Sequence, residues 1–93
     1  MGDPLIPTEP MISAAMIRAA RGLLNISQTE LGKSLKPTVS RRTMSKIETD
    51  APGRPDKRRR DVHAAIRVFL EEKGIEFQFA DDDFVAGVRL RRL

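Results

Sequence analysis

Residues 24–49, with the sequence LNISQTELGKSLKPTVSRRTMSKIET, decide the fold of this 93-residue chain because they place two short amphipathic segments around a polar turn. Ser27 and Glu30 have the spacing of a capping box, in which each side chain satisfies a free N–H of a helix's first turn. A helix is therefore predicted to start here. Lys36 precedes Pro37, which disfavours a helical backbone at Lys36, so the helix is predicted to end before it.

The second segment is predicted to form another helix. Ser40 can cap it, and Met44 and Ile47 recur at the spacing that buries one helix face. The other side chains of this segment then lie on surfaces that are free to meet a partner. They are Arg41, Arg42, Thr43, Ser45 and Lys46.

Together these features resemble the phage-repressor-like (Cro/repressor, XRE-type) helix-turn-helix regulators over about residues 17–48. Family members commonly carry an arginine late in helix 1, a Leu-Ser-Gln-like entry into helix 2, a small residue early in helix 2, and a recognition helix that starts with Ser-Arg and ends with Ile-Glu. The matching positions are Arg21, Ile26, Ser27, Gln28, Gly32, Ser40, Arg41, Ile47 and Glu48. Two positions depart from the family pattern: residues 36–38 stand where a single glycine is usual, and Gly32 stands where alanine is usual.

The resemblance implies a mainly α fold, a four-helix lambda-repressor-like helix-turn-helix domain. It also implies an ion pair between Arg21 and Glu48 that joins helix 1 to the end of helix 3. Side chains of helix 3 would contact bases of double-stranded DNA, and those expected to do so are Arg41, Arg42, Ser45 and Lys46. The side chains expected to contact phosphates in the same region are Gln28, Ser40 and Thr43.

Positive charge is concentrated around the predicted third helix. The chain has a net charge of +4, whereas residues 36–60 contain nine Lys/Arg and three Asp/Glu, a local charge of +6. Such a concentration is typical of a phosphate-binding face, although a solvated charged surface is the alternative. Arg58, Arg59 and Arg60 lie at the predicted start of a fourth helix, where the helix dipole disfavours cations. We therefore expect these three arginines to contact DNA phosphates.

The chain divides into three predicted parts: a flexible arm at 1–9, the helix-turn-helix domain at 10–74 and a C-terminal β-hairpin at 75–93. Helix 1 is predicted at residues 10–24, with Pro10 in its first turn and Asn25 in the left-handed conformation that ends a helix. Helix 4 is predicted at residues 57–73, ended by Gly74. Beyond Gly74 apolar and polar residues alternate in 76–79 and again in 88–91. This alternation predicts a hairpin with about four residues in each strand.

A two-stranded hairpin is marginal in water on its own, so its apolar face needs something to pack on. We expect a second copy of the chain to supply that surface and make a homodimer. The alternative is packing onto the chain's own helix 4. The residues expected to make the dimer are Phe77, Phe79, Val88 and Leu90.

The composition argues against an enzyme. The chain has no cysteine, its only histidine is His63, and it contains no glycine-rich phosphate loop, so we expect no catalytic residues, no metal and no cofactor. No apolar run is long enough for a bilayer and no signal segment is apparent, which predicts a cytoplasmic protein without membrane contact.

The expected function is that of a sequence-specific double-stranded DNA-binding regulator of transcription, acting as a dimer at an inverted-repeat operator. Two alternatives remain open. One is a DNA-binding antitoxin whose C-terminal region binds an unknown protein partner, and the other is an architectural DNA binder with little sequence preference.

Overall fold

The computed structural model describes residues 11–49 and 57–92, and only the backbone of residues 57–59. This part of the chain forms four helices and one antiparallel hairpin. The predicted arm at 1–9 lies outside the described residues. The elements in chain order are α1 (Ala14–Leu24), α2 (Gln28–Ser34), α3 (Arg41–Thr49), α4 (Lys57–Glu72), β1 (Ile75–Gln78) and β2 (Gly87–Leu90). The described chain is thus mainly helical, as predicted.

Helix α1 starts later than its sequence pattern predicts. Its N-cap is Ser13, whose hydroxyl accepts the Met16 N–H at 3.1 Å, and the helix begins at Ala14. A side-chain oxygen that satisfies a free N–H fixes the start more firmly than an early proline does. Pro10 itself lies outside the described residues. The predicted end is confirmed, because Asn25 adopts the left-handed conformation with φ 57°.

The capping box of α2 is confirmed. The Ser27 hydroxyl accepts the Glu30 N–H at 3.0 Å, and the Glu30 carboxylate accepts the Ser27 N–H at 3.4 Å. The helix ends at Ser34, ahead of the Lys36–Pro37 peptide, which is cis. The start and the end of this helix therefore follow the local sequence.

The turn after α2 folds back onto the helix at Gly32. The Val39 N–H donates to the Gly32 carbonyl at 2.9 Å. A Cβ built on Gly32 would lie 2.1 Å from the Val39 carbonyl oxygen and 3.2 Å from the Met44 side chain. No real Cβ tolerates the first distance, so this close approach of backbone to backbone requires glycine.

Helix α4 leads directly into the hairpin. It ends at Glu72, one residue before the predicted end, and Gly74 then turns the chain with φ +98°. Both strands begin one residue earlier than predicted, and their register pairs Phe77 with Val88. Phe79 consequently lies just beyond the end of β1.

One apolar core joins the helices to the hairpin. Its buried members are Ile12, Met16, Ile17, Ala20, Leu31, Leu35, Met44, Ile47, Ile66, Leu70 and Ile75. Phe77, Phe79 and Val88 are partly buried against this core, whereas Leu90 stays 41% exposed. The hairpin thus packs in part on its own chain, with β2 against α1 and β1 against α4, whereas the alternative to a dimer had named helix 4 alone. A role for these residues in a dimer stays a prediction.

Among the described residues, no helix combines the length and apolar character that crossing a membrane requires.

Candidate nucleic-acid interface

Helix α3 is held on the core by one face. Met44 and Ile47 are buried there, as the periodicity predicts. At its start the Ser40 hydroxyl accepts the Thr43 N–H at 3.2 Å and lies 3.1 Å from the Thr43 hydroxyl. Ser40 thus caps the helix as predicted, and both hydroxyls sit at its N-terminal end.

The opposite face of α3 is exposed and basic. Arg42 and Lys46 are both exposed, and their spacing of four residues places them one above the other on the helix surface. Arg41 is also exposed and Ser45 is half-buried. The four residues predicted to contact bases are therefore all at least partly accessible to solvent.

The far end of α3 is tied to α1 through a buried carboxylate. Glu48 is fully buried, while the Arg21 side chain is 21% exposed. The Arg21 Nη2 lies 2.8 Å from Glu48 Oε1, and the Nε donates to Oε2 at 2.9 Å. Arg21 Nη1 also donates to the Ile26 carbonyl at 3.1 Å. This two-pronged geometry fixes the direction of α3 relative to α1.

A second arginine of α1 reaches the same end of α3, and the sequence pattern had not indicated it. The Arg18 Nη1 donates to the backbone carbonyl of Glu48, one of the last carbonyls of the helix. A cation is also favoured at this end by the helix dipole. The available signal was the spacing, because Arg18 stands three residues before Arg21 and so shares its face of α1.

Of the residues predicted to contact phosphates, Gln28 opens α2 and is half-buried, Thr43 is exposed beside Ser40, and Arg60 is exposed near the start of α4. The side chains of Arg58 and Arg59 lie outside the described residues. A cleft separates α4 from the turn before α3, with Ser40 and Thr43 on one wall and Asp61 on the other.

The electrostatics of this surface are set by where its acidic group lies. Glu48 is the only acidic residue in α3, and it is buried against Arg21 rather than presented to solvent. The exposed face of the helix thus keeps the full positive charge of Arg41, Arg42 and Lys46. Such a face can attract a polyanion and, through arginine, make paired hydrogen bonds to a planar acceptor.

Comparison with models of protein families, with curated proteins and with solved structures yields no match to this chain.

Proposed function

We propose that α2, the turn and α3 form a helix-turn-helix unit, and that the protein is a sequence-specific double-stranded DNA-binding regulator of transcription. The observation that carries this proposal is how α3 is oriented: its last turn is anchored to α1, one face packs on the core, and the opposite face is exposed and basic. Its buried carboxylate is locked to Arg21, while Arg42 and Lys46 line the exposed face. A helix with this orientation and this exposed positive charge is suited to lie in the major groove as a recognition helix.

The chemistry of the exposed face favours duplex DNA over other polyanions. The major groove is about 12 Å wide and so admits one α-helix, whose diameter with its side chains is about 10–12 Å. Arg41 and Arg42 stand in the first turn, the part of a recognition helix that reaches base edges. Arginine binds guanine through two parallel hydrogen bonds, which gives a basis for sequence preference.

The test is selection of bound sequences from a pool of random duplexes, followed by affinity measurements for the selected sequence and for random DNA. Arg42→Ala should cost about 1–3 kcal/mol on the selected sequence and much less on random DNA, and Arg41→Ala should behave alike. Lys73→Ala is the matched control, because it removes the same charge from an exposed site at the end of α4.

Two results would contradict the proposal in different ways. Failure to enrich any sequence, with tight binding to all duplexes, would make the protein an architectural binder. Equal losses on selected and random DNA would make the two arginines phosphate contacts.

A further inference from the structure

The long side chains on the exposed face of α3 are all hydrogen-bond donors. Successive residues of a helix turn by about 100°, so Arg42 and Lys46 lie about 40° apart, on the side away from the buried Met44 and Ile47. Arg41 adds a third exposed cation in the first turn. Guanidinium and ammonium groups donate hydrogen bonds and accept none. These three side chains can therefore bind only acceptor atoms.

Carboxylate and carboxamide side chains are absent from the same face. Within its nine residues helix α3 contains no Asn or Gln, and its one acid, Glu48, is buried against Arg21. Carboxylates and carboxamides are the groups that bind the amino groups of cytosine and adenine. The hydroxyls of Ser45 and Thr49 can donate or accept, so they give no preference between bases.

The positive charges on this face are not neutralised within the described residues. The ion pairs between these residues include none of Arg41, Arg42 and Lys46. Arg42 and Lys46 are also like charges four residues apart on one helix, a spacing that destabilises it. A partner that offers acceptor atoms to both side chains would relieve this repulsion.

We propose that α3 recognises guanine, and that each recognition site contains two guanines within two base steps of each other, one bound by Arg42 and the other by Lys46. The inference rests on the proposed function, since it names the bases that α3 would read. Guanine presents two neighbouring acceptors, O6 and N7, in the major groove, and arginine and lysine both bind them as a pair.

The other three bases fit this face less well. Adenine has an amino group beside its N7, and cytosine presents an amino group, so a donor side chain would meet another donor. Thymine offers one acceptor, O4, next to a methyl group. Guanine is therefore the base whose groove edge best matches a face made of donors.

The spacing of the two side chains sets the spacing of the two guanines. Arg42 and Lys46 are separated by about 6 Å along the helix axis, whereas successive bases of a strand are separated by about 3.4 Å. A recognition helix lies in the groove with its side chains toward the base edges. The two side chains therefore reach bases one or two steps apart.

Replacement of guanine by 7-deazaguanine tests the proposal, because it removes the N7 acceptor and leaves base pairing intact. Selection from random duplexes should first enrich a sequence with two guanines at this spacing. Replacing either of them should weaken wild-type binding by at least about fivefold, since one bond of a paired contact is lost. Replacing a guanine elsewhere in the same duplex is the control and should have no effect.

Two variants assign each guanine to its side chain. Arg42→Ala should bind the unmodified duplex and the duplex with 7-deazaguanine at one position equally well, and Lys46→Ala should do so at the other position. Alanine is the best helix former, so both variants should keep the helix content of the wild type, which circular dichroism measures. Lys73→Ala, which removes an exposed charge at the end of α4, should keep both sensitivities.

The possible failures are distinguishable. A selected sequence without two guanines at this spacing, or equal binding of guanine and 7-deazaguanine, would show that α3 does not read guanine, and the proposed function would still stand. Sensitivities that persist in both variants would also overturn the inference, because other side chains would then read the guanines. If selection enriches no sequence, the proposed function itself fails and the inference fails with it.

Discussion

At the scale of single residues, the most constrained group is the Glu48 carboxylate, which is fully buried and bonded to Arg21. Breaking such a pair leaves an uncompensated buried charge. We expect Arg21→Ala to lower the free energy of unfolding by up to about 3–5 kcal/mol. Because water reaches part of the guanidinium in the wild type, the loss should be smaller than for a fully buried pair. Glu71→Ala, which breaks the exposed Arg67–Glu71 pair, should cost about 0.5 kcal/mol or less. Denaturant unfolding measures the free energy of unfolding of both variants. If both lose the same amount relative to the wild type, the Arg21–Glu48 pair does not act as a buried ion pair.

Arg18 is a positioning residue on our interpretation, since the hydrogen bond described for it is to the Glu48 carbonyl in the last turn of α3. Arg18→Ala should weaken binding to the selected DNA and to random DNA by a similar factor, because it tilts the whole helix instead of removing one base contact. The sequence preference found by selection should not change. A changed preference at a single base position would instead place Arg18 in the DNA groove.

At the scale of the elements, the contact between Gly32 and Val39 decides how α2 meets α3. Gly32→Ala should destabilise the protein by about 1–3 kcal/mol, because the new methyl group meets a carbonyl oxygen, although alanine is the better helix former. Gly22→Ala in α1 is the matched control. No atom lies within 4 Å of the added Cβ there, and the change should stabilise by about 0.5–1 kcal/mol. Thermal unfolding of the pair should give shifts of opposite sign.

The hairpin should respond to acid through Glu76. Hydrogen bonding to the Arg89 guanidinium, with the charges of Arg89 and Arg91, lowers the pKa of this carboxyl below its usual value. A carboxyl with a lowered pKa in the folded state stabilises that state above the unfolded pKa, and the stabilisation is lost as pH falls through the folded pKa. The protection of the β1 and β2 amides, measured as their exchange rate relative to that of the unfolded chain at the same pH, should therefore fall in this acidic range. Glu76→Gln should remove that part of the pH dependence, and an unchanged profile would contradict it.

The sequence predicts those parts of the fold that depend on neighbours along the chain. The capping box at Ser27, the left-handed Asn25 and the alternation after Gly74 each act within a few residues, and each predicted feature is present. Contacts between distant segments were not predictable in the same way. Arg18 and Glu48 are thirty residues apart, and the burial of Ile75 depends on helices that precede it. The resemblance implied the Arg21 and Glu48 pair, which local patterns alone do not indicate.

At the scale of the whole molecule, charge is divided between a basic segment at 36–60 and a remainder with a net charge of −2. If the basic segment faces DNA, each phosphate contact contributes to the salt dependence of binding. Arg60→Ala should lower the slope of log affinity against log salt by about 1, with the sequence preference unchanged. Lys73→Ala should leave the slope as it is. A slope that Arg60→Ala does not alter would make Arg60 a solvated charge.

The close approach at Gly32 also bears on how such a chain can change over evolution. The turn at 36–38 carries the Val39 carbonyl into the space of a side chain, so turn length and the residue at position 32 are coupled. A deletion that shortens the turn would withdraw the carbonyl and leave a void that alanine fills. Conversely, an insertion that lengthens a short turn would require glycine at position 32, because the carbonyl would then occupy the space of a side chain there. Among homologous chains we therefore expect the two traits to covary, with glycine accompanying the long turn and alanine the short one.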